Sequence, residues 1–229
     1  SRPAWKGFLK AYQRDSNGKV RVNADGTPDE AFRDWESGEA LAAKAASSRT
    51  IKTVIGGTLQ DFSTSNSNIT PGLLGVAGSA DRDKLVNYIR GVDTYDEDAD
   101  SNVTEERAWK LGDIFHSSPV LVTPPFLPIP LVDPAPSYKD FKAANANREP
   151  VLIAGANDGM LHAFRESDGQ ELWAFIPNDL LGSLKTLTAT SAEHPFYVDG
   201  SPIVADVKIG GTWKTIVVFG ERRGGRFYH

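Results

Sequence analysis

The sequence predicts a mainly β protein assembled from repeated multi-strand units, the logic of a propeller or a solenoid. Three observations carry that expectation. A pattern occurs twice: Ser118-Pro119-Val120-Leu121-Val122 precedes Val151-Leu152-Ile153-Ala154-Gly155, a polar turn and a strand bearing His162. Ser201-Pro202-Ile203-Val204-Ala205-Asp206-Val207 likewise precedes Ile216-Val217-Val218-Phe219-Gly220, a polar turn and a strand bearing His229. Next, 21 Gly and 14 Pro punctuate short runs of Val, Ile, Phe and Trp, a mixture that favours many short strands joined by turns. Finally, 229 residues with 40% hydrophobic and 24% charged side chains suffice for a true core.

Taken in order, Phe8 to Arg14 alternates apolar and polar residues and meets Asp15-Ser16-Asn17-Gly18 before Lys19-Val20-Arg21-Val22. Asn-Gly between two such runs predicts a hairpin over 5–22. Glu39 to Ala46 predicts a brief helix, and Gly56-Gly57 a second hairpin joining 49–55 to 58–62. Ser63 to Ile69 is polar and loop-like. The clearest helix runs from Asp81 to Arg90, with Ser79 as its N-cap, Leu85, Val86 and Ile89 on one face and Gly91 just past its end. Asp113 to Val122 reads as a strand, and 124–148, rich in Pro, Asn and Ala, as a surface insertion. The repeat units cover about 117–175 and 201–229. The first continues through Asp168-Gly169 to Glu171-Leu172-Trp173-Ala174-Phe175, whereas the second ends before its counterpart of that strand. A chain cut in mid-blade is therefore expected, the rest of the ring coming from a following segment or another chain.

Composition excludes several functions. A net charge of -5 argues against a sequence-independent grip on nucleic acid or anionic lipid. Without cysteine there is no thiol catalysis, disulfide scaffold or cysteine-bound metal. No apolar run approaches the ~20 residues that span a bilayer, and Ser1-Arg2-Pro3-Ala4-Trp5 lacks a signal-peptide profile, so a soluble chain is expected. No serine sits in a nucleophile elbow, and Gly155-Ala156-Asn157-Asp158-Gly159 lacks the lysine and following helix of a phosphate loop. No catalytic constellation emerges. His116, His162, His194 and His229 show no metal-ligand spacing and are assigned to packing or turns. The five tryptophans are too dispersed for a stacking platform and are expected between sheets.

One segment does suggest chemistry. Asp93 to Glu106 holds seven carboxylates and no Lys or Arg, which leaves the remaining chain at +2. Asp96, Asp98 and Asp100 at alternate positions reproduce the opening of a calcium loop, where positions 1, 3 and 5 turn oxygens inward. Asn102 would offer its backbone carbonyl, Thr104 would reach through water, and Glu105 or Glu106 would close the shell. Two departures from an EF-hand matter: Ser101 replaces the turn glycine, and position 12 is Arg107. A shorter loop closed at position 10 or 11 is what this sequence allows. Calcium is favoured over a solvated loop because crowded acids repel one another without a cation. Magnesium, which keeps its waters, is a poorer match.

Two stretches go beyond generic strand chemistry. Val151 to Phe164, with Asp168-Gly169-Gln170-Glu171-Leu172-Trp173, resembles the blade repeat of quinoprotein-like propellers. Leu111-Gly112-Asp113-Ile114-Phe115-His116-Ser117-Ser118-Pro119-Val120, Gly155 to Phe164, and Tyr197-Val198-Asp199-Gly200-Ser201-Pro202, in this order, resemble the PilY/PilC family of type IV pilus proteins. Trp5-Lys6-Gly7-Phe8-Leu9-Lys10-Ala11-Tyr12 is similar to that family's first propeller strand. The resemblance implies a modified, quinoprotein-alcohol-dehydrogenase-like β-propeller, here partial over 1–229, with one short helix near 81–90. It implies a non-catalytic, secreted protein exported through the periplasm to the cell surface. Such a protein serves pilus assembly with minor pilins, opposes retraction and adheres to host or abiotic surfaces at the pilus tip. It also implies a calcium loop, to which Asp96, Asp98, Asp100, Glu105 and Glu106 could correspond. The alternatives are a quinone-dependent dehydrogenase and a purely structural extracellular module.

Overall fold

The computed structural model describes residues 5–130, 132–189 and 194–229. The opening Ser1 to Ala4 and residue 131 of the predicted insertion lie outside them. Among the described residues ten strands dominate. β1 (Lys10–Tyr12) pairs antiparallel with β2 (Arg33–Glu36). The hairpin expected over 5–22 is thus corrected: Asp15 to Gly18 does turn, closed by an Arg14–Val20 bridge, but β1 takes its partner from beyond residue 30. α1 (Ser37–Ala43) starts where the Glu36 carboxylate accepts the N–H groups of Gly38 and Glu39. β3 (Ile51–Ile55) and β4 (Thr58–Asp61) form the predicted hairpin, with Gly56 and Gly57 both at positive φ as its turn requires.

Helices outnumber the two expected near 39–46 and 81–90. α2 (Pro71–Leu74) follows the Thr70 cap, and α3 (Ser79–Arg90) is the predicted helix, though Gly78 occupies the cap position and Ser79 is already helical. Gly91 ends α3 at φ 125°, and a β-carbon there would lie 2.5 Å from the Lys110 side chain. β5 is only Val120–Val122, because 113–119 runs irregularly. The 124–148 segment carries α4 (Tyr138–Ala144), whose buried Tyr138 donates its hydroxyl to Asp206. It is docked on the second unit rather than waving free. A 3₁₀ helix spans Asn178–Thr188, burying Leu180, Leu181 and Leu184.

β6 (Val151–Gly155), β7 (Leu161–Arg165) and β8 (Glu171–Ile176) complete a six-stranded sheet of order β4-β3-β8-β7-β6-β5. Every pairing in it is antiparallel except β3 with β8. β9 (Ile203–Ile209) and β10 (Thr212–Val218) form the second unit's hairpin. The register makes the repeat visible. Gly155 lies opposite Leu161 and His162 opposite Ala154; Gly220 lies opposite Tyr228, while Phe219 and His229 exchange both backbone hydrogen bonds. His162 and His229 therefore occupy equivalent positions, across a turn two residues longer in the second unit. The main core joins the sheet to the helices through Ile51, Leu85, Val86, Ile89, Met160 and Ile176. Trp5, expected between sheets, is instead 46% exposed.

Candidate metal centre

α3 delivers the chain into the acidic segment, whose neck is closed by backbone. Asp93 N–H donates to the Glu105 carbonyl at 2.8 Å, Arg107 N–H to the Gly91 carbonyl at 2.7 Å, and Val92 bridges Glu106. Within the loop Asp96, Ala99 and Ser101 all adopt positive φ. At 72° Ser101 takes the left-handed geometry that glycine provides at the sixth position of an EF-hand, held by its N–H donating to Asp96 Oδ1.

The seven acids divide by partner. Glu97 turns back to the protein, accepting the Tyr88 hydroxyl at 2.6 Å and pairing with Arg107 at 3.1 Å. Glu106, expected among the ligands, lies apart from the trios described below: its carboxylate accepts Ala46 N–H and pairs with Lys110 at 3.0 Å. The reason is its place in the neck bridge, which commits it to the protein's side. The other five, Asp93, Asp96, Asp98, Asp100 and Glu105, form no ion pair among the described residues.

Those five make two overlapping trios. Asp96, Asp98 and Asp100 each place one oxygen within 4.8 Å of the other two, and so do Asp93, Asp98 and Glu105. Asp98 is common to both. Asn102 and Thr104 stand beside the trios as scaffolding: the Asn102 side chain donates to Glu105 and accepts the Thr104 N–H and hydroxyl. Asp93 is the acid that alternate spacing does not reveal. It is almost fully buried at 3% exposure, and both its oxygens accept the Glu97 N–H. Its only signal in the sequence is its position directly after the helix that delivers the loop. Burial, then the neighbouring Glu97 charge, raise the Asp93 carboxyl above its ordinary range, against the Glu97 N–H bond that lowers it. Glu105 is raised as well, first by desolvation and then by Asp100, Asp98 and Asp93. An all-oxygen, multi-carboxylate set of this kind suits a hard cation of calcium type and fits poorly to the soft or imidazole-seeking metals.

A second charged centre lies inside the sheet. His162, completely buried, directs Nε2 to Asp158 at 3.0 Å and Nδ1 to Glu171 at 2.9 Å. Arg49 clamps Glu171 with two bonds of 2.8 Å and donates to the Ile89 and Arg90 carbonyls at the end of α3. The two flanking carboxylates raise His162 to about 9 despite its burial, and Arg49 and His162 hold Glu171 far below the usual range. The other histidines also face carboxylates: His116 with Asp199, His194 with Asp113, and His229 with Glu221. A cavity of about 80 Å³ is bordered by Glu97, Arg107 and Lys110 at the loop's base and by Asp158 and Met160 of the sheet.

The profile of the PilY1 beta-propeller domain matches residues 111–229. The type IV pilus biogenesis factor PilY1 of Pseudomonas aeruginosa is 33% identical over 234 residues, covering 97% of this chain and 20% of that protein. A PilY1 homolog of Xylella fastidiosa is 34% identical over 233 residues, covering 97% of the chain and 17% of that protein. The chain thus spans about a fifth of the length of these curated relatives. The crystal structure of the P. aeruginosa PilY1 C-terminal domain aligns at 41% identity over 39% of this chain and 16% of that one, with a TM-score of 0.31. With the profile matching just over half of its residues, in the region of the two repeat units, the chain belongs to the PilY1 β-propeller domain family.

Proposed function

We propose that residues 1–229 are part of a non-catalytic, calcium-binding β-propeller in a type IV pilus protein, acting in pilus biogenesis, retraction control and surface adhesion. The observation that carries the calcium reading is the division of charge in the loop. Two of the seven acids are neutralised from outside it, while the other five form two trios that share Asp98 and have no cation of their own among the described residues. Calcium takes six to eight oxygens, so five carboxylates and a few waters or carbonyls complete a shell.

Asp93, Asp96, Asp98, Asp100 and Glu105 would hold the ion, which when bound supplies the positive charge that offsets their repulsion. Asn102 and Thr104 keep Glu105 turned inward. Glu97 ties the loop to the core through the Tyr88 hydroxyl and Arg107. A loop whose shape follows calcium concentration suits a switch between assembly and retraction. The names of the relatives support the pilus setting. Minor pilins, the pilus tip and a host or abiotic surface are the partners this reading implies, with the remainder of the ring drawn from a following segment or another chain. The location is the cell surface, reached through the periplasm. Among the described residues no helix is long and apolar enough to cross a membrane.

Calorimetric titration of calcium into the wild type and an Asp98→Ala variant tests the ion site. Millimolar or tighter binding by the wild type and none by the variant is the expected result. Identical melting in calcium and in chelator would instead make this a structural module, and a quinone absorbance in reconstituted protein would point to the dehydrogenase class.

A further inference from the structure

We propose that Asp179, Glu221 and His229 form a second cation site, for a transition-metal ion of the zinc class, chemically and spatially separate from the acidic loop. The starting point is the equivalence of His162 and His229 in the two repeat units. Each is flanked by two carboxylates. In the first unit the guanidinium of Arg49 joins the group, so two cations face two anions. In the second unit His229 faces Glu221 at 2.9 Å and Asp179 at 3.4 Å, and among the described residues no Lys or Arg pairs with either acid. Arg222, Arg223 and Arg226 lie in the same turn, yet none reaches them; Arg223 stacks over Phe196 instead. A divalent ion on a neutral imidazole and two carboxylates restores the balance that Arg49 provides in the first unit.

The geometry is suitable. One atom from each of the three side chains lies within 4.8 Å of the others. A tetrahedral ion with bonds of about 2.0–2.1 Å needs neighbouring ligand atoms about 3.3 Å apart. The observed 2.9 and 3.4 Å bracket that spacing. The ligands are also held in advance. Glu221 is fully buried, and Phe227 N–H donates to its Oε2, which leaves Oε1 facing His229. A β-carbon at residue 225 would fall 1.5 Å from Glu221 Oε2, so Gly225 lets the turn backbone close over the carboxylate. The His229 backbone is fixed by both bonds to Phe219. Asp179, at 23% side-chain exposure, faces solvent and leaves a path for the ion and a completing water. One imidazole nitrogen among the donors separates this site from the all-oxygen loop and favours zinc-like ions over calcium.

The test is titration of Zn²⁺, with Co²⁺ as the spectroscopic probe, into the untagged chain at saturating calcium. One site of micromolar or tighter affinity is expected, with a visible cobalt band, unchanged in Asp98→Ala and weakened more than about tenfold in His229→Gln and in the exposed Asp179→Asn. Circular dichroism confirms that the variants fold, and Asp179→Asn keeps the test decisive if His229→Gln does not. The proposal is overturned if the wild type takes up no zinc under these conditions, or if Asp179→Asn binds it as the wild type does. In that case His229 bridges the two carboxylates through protons alone.

Discussion

The acidic loop and the buried His162 network treat crowded carboxylates in opposite ways. In the network every anion meets a cation from the same chain: Glu171 has Arg49 and His162, and Asp158 has His162 and the Gly112 N–H. In the loop only Glu97 and Glu106 are so matched, and five acids remain. The first region is consequently a permanent fastener between β3, β7, β8 and α3. The second depends on what the solvent supplies. Among the described residues no side chain of the His162 network pairs with an acid of the loop, so each should respond to its own perturbation.

The largest effect should come from removing the fastener's guanidinium. Arg49→Met leaves Glu171 buried beside His162 alone and frees two carbonyls at the end of α3, and should cost about 3–5 kcal/mol in urea unfolding, equally with and without calcium. A loss that calcium repairs would mean that the two regions are coupled.

Raising the pH attacks the same network more gently. His162 titrates at about 9 in the folded protein against 6.5 in an unconstrained chain, so its contribution is complete below about 6.5 and declines as pH climbs towards 9. The full loss is on the order of 3 kcal/mol. The loop without calcium loses stability in the same direction, but in the lower, carboxylate range of pH. Asp93 and Glu105 are raised in the folded state, so ionising them destabilises it as pH passes upward through the carboxylate range. Stability measured from pH 4 to 9, with calcium and with chelator, should show the His162 decline in both series and the carboxylate decline only with chelator.

Asp98→Ala is the next in size. At a calcium concentration about a hundredfold above Kd, the wild type gains about 2.7 kcal/mol that the variant lacks. In chelator the variant should melt no lower than the wild type, since it removes one member of a repelling set. A lower melting temperature there would show that Asp98 has a structural partner, and the contrast with the network would fail. The smallest effect is Ser101→Gly, which relieves the cost of a non-glycine residue at positive φ and should stabilise the loop by about 1 kcal/mol, with a matching gain in calcium affinity.

What could be read in advance was local. Gly56-Gly57 named its hairpin, Leu85, Val86 and Ile89 with Gly91 named α3, and the alternation of Asp96, Asp98 and Asp100 brought those three acids into one group, as the structure does. Each signal lies within a few residues, where backbone preference and side-chain period decide the outcome. The 3₁₀ segment at 178–188 was missed because its leucines follow neither the strand nor the α-helix period clearly. β1 pairs with β2 and not with the strand after Gly18, because a turn signal shows that the chain reverses, not which strand lies beside it.

By itself the amino-acid sequence determined the strand-rich class, the doubled unit and the concentration of acid after α3, since these follow from composition, spacing and short-range sterics. Only the tertiary structure decided which charges meet. Arg49 finds Glu171 across 122 residues, Asp93 joins a trio that its spacing does not suggest, and Glu106 is drawn off to Lys110 by the neck bridge. Electrostatic partners act through space over a few ångströms, and the order of residues along a chain does not specify those distances until the sheets and helices have packed.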